Sequence, residues 1–220
     1  PVLAYTAASD GAVILVQNDG KVVRIKDGAS EELSGSVVPN ITKASFSYDG
    51  KKLLVMLAGA RAGGAQQASM FDADARTWEP LSNIAANAVW SPRERQIAYI
   101  LENGGNSKLI TLNIDATQKT PQVLLTLPGY DLVPDWVSQE GIVVSEVASA
   151  RVPSSAWLFN TKKKTIDLII EHEYGATAEW SNTTTTTGLV FTSPSGPRKV
   201  GGTLTLRDQR GRITKSFRVL

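Results

Sequence analysis

The sequence predicts an all-β chain, a β-propeller of about five four-stranded blades, or an arc of such blades belonging to a six-bladed, seven-bladed or larger ring. Three observations lead there. The first is a recurrent phrase: a short strand ending on an aromatic, a polar turn, then a strand of β-branched and apolar residues. It occurs as Ala44–Val55, Asn87–Leu101, Pro134–Val144 and Ala178–Phe191, and its aromatics Phe46, Trp90, Trp136 and Trp180 lie 44, 46 and 44 residues apart. A period of that length is the signature of propeller blades. The second is the lack of any convincing helical period. The third is punctuation, because most of the 10 prolines and 18 glycines fall between apolar runs, where turns need them.

Blades are expected at about 1–40, 41–84, 85–130, 131–174 and 175–220, together one domain. In the first, Leu3–Ala7 is the inner strand, with Ala12–Gln17, Val22–Ile25 and Glu31–Leu33 following, and Asn18-Asp19-Gly20 makes a tight hairpin turn. The second uses Leu53–Leu57, Ala68–Phe71 and Trp78–Leu81. The third uses Ile97–Leu101, Lys108–Asn113 and Gln122–Leu127. The fourth uses Ile142–Glu146, Ala156–Asn160 and Ile166–Ile170, and the fifth Leu189–Thr192, Thr203–Arg207 and Ile213–Val219. The run Thr183–Thr187 lengthens the fifth blade's first turn. A four-stranded unit with two apolar faces can bury them only by stacking, and the recurrent aromatics are expected to fill the space between blades.

Composition narrows the function classes. Hydrophobic residues make up 42% and charged residues 20%, as in an ordinary globular chain. The net charge is only +2 and comes from scattered Lys and Arg, so no nucleic-acid partner is expected. No apolar run approaches the roughly 18 residues of a membrane-spanning helix. The chain has no cysteine, which removes disulfides and thiolate metal sites and is compatible with a periplasmic or extracellular address, the one expected here. It begins at Pro1 with no signal-peptide pattern, so it is expected to be a processed or excised piece of a longer exported protein.

The aromatic-Ser-Pro/Tyr-Asp-Gly-Lys-Lys phrase followed by an apolar strand, clearest at Phe46–Leu57 and Trp90–Leu101, resembles the PD40 (WD40-like) repeat of TolB-like propellers. The resemblance covers essentially the whole chain and implies architecture. Two units depart from it, with Val137-Ser138-Gln139 in the fourth and Asn182 with the threonine run in the fifth. Propellers of this kind usually have six blades, so five units imply closure with five, a missing blade, or an open arc whose ends need a partner.

In an antiparallel blade the second-to-third and fourth-to-next connections share one end. That rim carries Ala58–Gln67, Glu102–Ser107, Ala148–Ser155 and Ser193–Gly202, and brings Arg61, Lys108, Arg151, Arg198 and Lys199 together with Tyr130 and Tyr174. Basic groups interleaved with tyrosine suit an acidic peptide, a sugar acid or an anionic envelope component; the plain reading is a solvated loop surface. The opposite end is basic as well, through Lys51, Lys52, Arg93, Arg95, Lys162–Lys164, Arg210 and Arg212.

Catalysis has little to work with. His172 is the single histidine, and no nucleophile elbow accompanies it. Asp72-x-Asp74 lacks the glycine and glutamate a calcium loop requires, and Gly59–Gly64 lacks dinucleotide spacing, so neither metal nor cofactor is expected. Asp135 and Glu179 each precede the inner-strand tryptophan of adjacent blades, a spacing that suits paired-acid chemistry. Two functions therefore stand side by side: a non-catalytic scaffold for protein or envelope binding, and a glycan-active propeller or one accessory to a hydrolase.

Overall fold

The computed structural model describes residues 1–36, 38–58, 67–81, 86–103, 105–128, 132–146, 153–174, 177–181, 188–194, 202–207 and 213–219. Five antiparallel sheets, each of four strands in sequential order, account for most of them. The first is β1 (Val2–Ala7), β2 (Val13–Gln17), β3 (Val22–Lys26) and β4 (Ala29–Glu32). The second is β5 (Ile41–Phe46), β6 (Lys52–Leu57), β7 (Gln67–Asp72) and β8 (Thr77–Leu81). The third is β9 (Ala86–Trp90), β10 (Gln96–Asn103), β11 (Asn106–Asn113) and β12 (Gln122–Pro128). The fourth comprises β13 (Leu132–Trp136), β14 (Gly141–Glu146), β15 (Pro153–Asn160) and β16 (Thr165–Tyr174). The fifth comprises β17 (Thr177–Ser181), β18 (Gly188–Pro194), β19 (Gly202–Arg207) and β20 (Ile213–Val219).

One register recurs. Phe46 pairs with Leu53, Trp90 with Ile97, Trp136 with Ile142 and Trp180 with Leu189, so the aromatic stands last or next to last in the first strand, opposite the second residue of the second. In the first sheet the equivalent pair is Ala7 with Val13. The phrase seen in the sequence is thus one backbone pattern, with its aromatic replaced in the first copy.

The chain divides into two compact units, Pro1–Leu101 with Ile110–Gln122, and Glu102–Leu109 with Val123–Leu220. Within the first unit, β6 shows why the sheets stack. Its side chains alternate, so Leu53 and Val55 join Ile14, Val16, Val22 and Phe71 in one core. Leu54 and Met56 join Met70, Ile97, Tyr99 and Ile110 in another. A strand apolar on both faces is what a sheet covered on both sides requires. Phe46 packs on the first core and Trp90 on the second, as the repeat implies for a blade-filling aromatic. Trp90 also donates its indole N–H to the Ser45 carbonyl at 2.9 Å, tying the third sheet to the second. In the second unit Leu132, Trp136, Ile142, Val143, Val144, Ala156 and Phe159 are buried.

Several strands run further than the sequence indicates. The Glu102–Ser107 connection is not a long loop: β10 extends to Asn103 and β11 starts at Asn106, and in the short turn between them Gly105 takes φ +89°. Glycine supplies the positive φ that so tight a hairpin demands. Likewise β15 begins at Pro153 and β16 continues to Tyr174, so His172 and Tyr174 sit in an outer strand and not in the connection to the next blade. Thr183–Thr187 lies outside the described residues.

Candidate functional site

Of the rim residues read from sequence, Lys108 alone has a described side chain; it is half-buried as the third residue of β11. Tyr174 is described as backbone only, and Arg61, Tyr130, Arg151, Arg198 and Lys199 lie outside the described residues. Asp135 and Glu179 occupy matching places, Asp135 opposite Val143 and Glu179 opposite Val190. Asp135 is exposed, and the Glu179 side chain is outside the described residues. Asp72 accepts from the backbone N–H groups of Asp74 and Ala75 and pairs with Lys52, which makes it the hinge of a hairpin turn.

In the first unit, the charges at the end carrying the first-to-second and third-to-fourth turns are largely spent on one another. Lys51 pairs with Asp74 at 2.9 Å and Lys52 with Asp72. Arg95 lies between two carboxylates, with Nη2 2.7 Å from Asp49 Oδ2 and Nη1 3.2 Å from Asp115 Oδ2. Burial opposes ionisation of Asp49, but hydrogen bonds from Ser47 and Arg95 prevail and hold its carboxyl below the usual carboxylate range. The hydrogen bond to Asp49 correspondingly raises the Arg95 pKa. In the second unit Lys162 stands 3.4 Å from Glu140. The basic surface that composition suggests is therefore mostly neutralised, because the partners come from turns far away in sequence.

A cation at this end escapes the pairing. A cleft of about 400 Å³ is lined by Tyr48, Arg93, Glu94, Arg95, Asn113 and Asp115, among others. The turns that shape it begin with a serine. Ser47 Oγ accepts the Lys52 N–H and donates to Asp49, and Ser91 Oγ accepts the N–H groups of Arg93 and Glu94. In the first two sheets an aspartate follows in the turn, where Asp10 accepts from the Ala12 N–H and Asp49 from the Lys51 N–H. In the third sheet that repeat position is Arg93. It cannot accept a hydrogen bond, its guanidinium has no partner among the described residues, and it is exposed beside the equally exposed Tyr48. The signal was available in the sequence as a charge reversal at a fixed repeat phase. What alignment does not supply is that the neighbouring Arg95 is already committed.

No group of three or more His, Asp or Glu side chains among the described residues has the arrangement of a metal site. No helix of the described residues is long and apolar enough to cross a membrane. No protein-family model matches the chain, and no curated protein matches its sequence.

Solved structures do resemble it. TolB from Acinetobacter baumannii superposes with a TM-score of 0.61 at 13% identity over 100% of this chain and 54% of that one. An oligogalacturonate lyase in complex with manganese gives 0.59 at 11% identity over 99% and 73%. The nidogen/laminin complex gives 0.54 at 11% identity over 98% and 79%. The chain thus spans about half the length of the TolB chain it matches. With five sequential four-stranded sheets in one recurring register, this chain has the fold of a TolB-like β-propeller.

Proposed function

We propose that the chain is a non-catalytic propeller that binds a protein or cell-envelope component through an anionic group, acting outside the cytoplasm as part of a larger exported protein. The observation that carries this reading is Arg93. The repeat places a structural acid at that position in two other turns, and here the structural task passes to Ser91 while the side chain stands exposed beside Tyr48. Of the carboxylates near it, Asp49 and Asp115 are engaged with Arg95, and Glu94 lines the same cleft with its side chain exposed. Such a cleft offers a guanidinium and an aromatic for recognition. Similar folds include nidogen, solved in complex with laminin.

The loop rim carrying Arg61, Lys108, Tyr130, Arg151, Tyr174, Arg198 and Lys199 is proposed as a second contact surface of the same polarity. The test is binding of a fluorescent glutamate-rich peptide at low salt, followed by anisotropy. Arg93→Ala is expected to weaken binding about fivefold to tenfold, the worth of one charge-assisted contact, and Arg61→Glu to weaken it independently. Unchanged affinity in Arg93→Glu removes the cleft from the function.

A glycan-active reading has one supporting observation, the matched register of Asp135 and Glu179 in sheets four and five. Turnover of oligogalacturonides by the purified chain, abolished in Asp135→Asn and in Glu179→Gln, would replace the scaffold reading with this one.

A further inference from the structure

The cleft that Arg93 lines is preformed and of mixed sign. Its walls are the turns that follow β5, β9 and β11, and Arg95 pins all three together. The Arg95 side chain pairs with Asp49 in the first wall and Asp115 in the third, and its carbonyl accepts the Ile114 N–H at 2.9 Å. Recognition groups on so fixed a frame lose little freedom on binding. Around the cleft two guanidiniums, of Arg93 and Arg95, stand among three carboxylates, of Asp49, Glu94 and Asp115. A run of acidic side chains would meet more negative charge than positive there, whereas one isolated carboxylate can sit on Arg93 and avoid it.

The remaining groups suit neutral hydroxyls. Asp115 is held through a single Arg95 nitrogen, 3.2 and 3.4 Å from its two oxygens, and its side chain stays 48% exposed. Glu94 is exposed, so both acids keep lone pairs for incoming O–H donors. Asn113 Oδ1 accepts the Asp115 N–H, which leaves the Asn113 amide N–H groups to donate. Tyr48, 55% exposed, adds a flat apolar face ending in a hydroxyl. From this we infer that the cleft binds a uronic acid residue of an acidic glycan, its carboxylate on Arg93, its hydroxyls on Glu94, Asp115 and Asn113, and its C–H face on Tyr48. One sugar ring carries all of these features, and the cleft's volume of about 400 Å³ falls within the roughly 300–1,000 Å³ of small-molecule sites. The uronate site rests on Arg93 as the anion-binding residue of the proposed function and specifies the anion.

The experiment is titration calorimetry of the intact chain at about 0.15 M salt. The ligands are a hyaluronan tetrasaccharide, which carries a carboxylate on every second sugar, its carboxyl-reduced form, and the glutamate-rich peptide. The acidic sugar is expected to bind about tenfold tighter than the reduced one, and Arg93→Ala to remove that advantage. Tyr48→Ala should weaken the acidic sugar about fivefold and leave the peptide unchanged. Glu94→Ala should move the two ligands in opposite directions, about threefold weaker for the sugar, which loses an acceptor, and about twofold tighter for the peptide, which loses a repelling charge. Thermal melts of the three variants report folding, which exposed positions leave intact. The carboxylate preference, its loss in Arg93→Ala and the opposed response to Glu94→Ala together support the inference. Absence of sugar binding, equal binding of the two tetrasaccharides, indifference of the sugar to Tyr48→Ala, or a Glu94→Ala variant that gains affinity for both ligands overturns it. Where the peptide still depends on Arg93, the anion-binding reading survives that failure with an acidic peptide as its ligand; where no ligand depends on Arg93, both fall.

Discussion

Strand β2 reads Val-Ile-Leu-Val and strand β6 reads Leu-Leu-Val-Met, each the second strand of its sheet and each hydrogen-bonded on both sides. On β6 both faces are sealed, with Leu53 and Leu54 each 1% exposed. On β2 one face is sealed while Val13 stands open to solvent. The two strands do not differ in hydrophobicity or in secondary structure; they differ in having one face or both faces buried among the described residues. In a stacked architecture burial is a property of the interface, and the same residue pattern is core in one repeat and surface in the next.

The widest expected gap between the two sheets lies at Phe71 and Ile25, the third-strand residues opposite Leu53 and Val13. Phe71 is fully buried and sits 5.0 Å from the Trp78 ring, tilted by 50°. Truncating it to Ala removes a large buried side chain and leaves a cavity between sheets, so urea unfolding should register a loss of about 3–5 kcal/mol. Ile25→Ala at dilute concentration should cost about 0.5–1 kcal/mol, as a half-exposed side chain would. Equal losses would mean that the open face is covered.

Glycines sharpen the same contrast between open and closed positions. Gly11 and Gly20 both have positive φ, +81° and +87°, so Ala is strained at either. At Gly11 an added Cβ meets nothing within 4 Å, whereas at Gly20 it would lie 2.2 Å from the Val38 carbonyl oxygen. Gly11→Ala should therefore cost about 1 kcal/mol and Gly20→Ala about 2–4 kcal/mol, since the backbone of the outgoing segment must also move. A pair of melting curves decides it.

How much of this the sequence carries can be judged residue by residue. The aromatic spacing and the apolar alternation of β6 are local signals, and they locate sheets and registers because strand period and turn chemistry act within about ten residues. Strand ends are less legible: the short turn at Gly105 and the long β16 depend on how far a partner strand continues to pair. The candidate site is legible in part. Arg93 stands out as a basic residue in a position that is acidic in two other turns, but the neutralisation of Lys51, Lys52 and Arg95 rests on carboxylates 20 to 46 residues away. Composition counts those charges and cannot pair them.

A smaller effect separates the tryptophans. Trp90 donates to the Ser45 carbonyl, whereas the indole N–H of Trp136 is buried with no partner among the described residues. Trp90→Phe leaves that carbonyl unsatisfied and should cost about 1–2 kcal/mol beyond the change in packing. Comparison with Trp136→Phe isolates the hydrogen bond, because the second substitution discards no bond and should cost less.

The smallest difference is electrostatic and has a direction in pH. Asp49 is held ionised by Ser47 and Arg95 against its own burial, so its pKa is lower in the folded chain than in the unfolded one. A group with a depressed folded pKa contributes stability that is present above the unfolded value, near 3.9, and lost as pH falls through the folded value. Asp49→Asn should therefore lower stability by about 1–2 kcal/mol at pH 7, where the Arg95 bond is charge-assisted. Once the pH is below the folded value, wild type and variant should converge. Arg93→Asn, two residues before Arg95 in the same turn, should leave stability within about 0.5 kcal/mol across the whole range, because Ser91 and not Arg93 holds that turn. If the Arg93 variant instead followed the pH profile of Asp49→Asn, Arg93 would be part of the structural network, and the cleft would lose the cation it offers a partner.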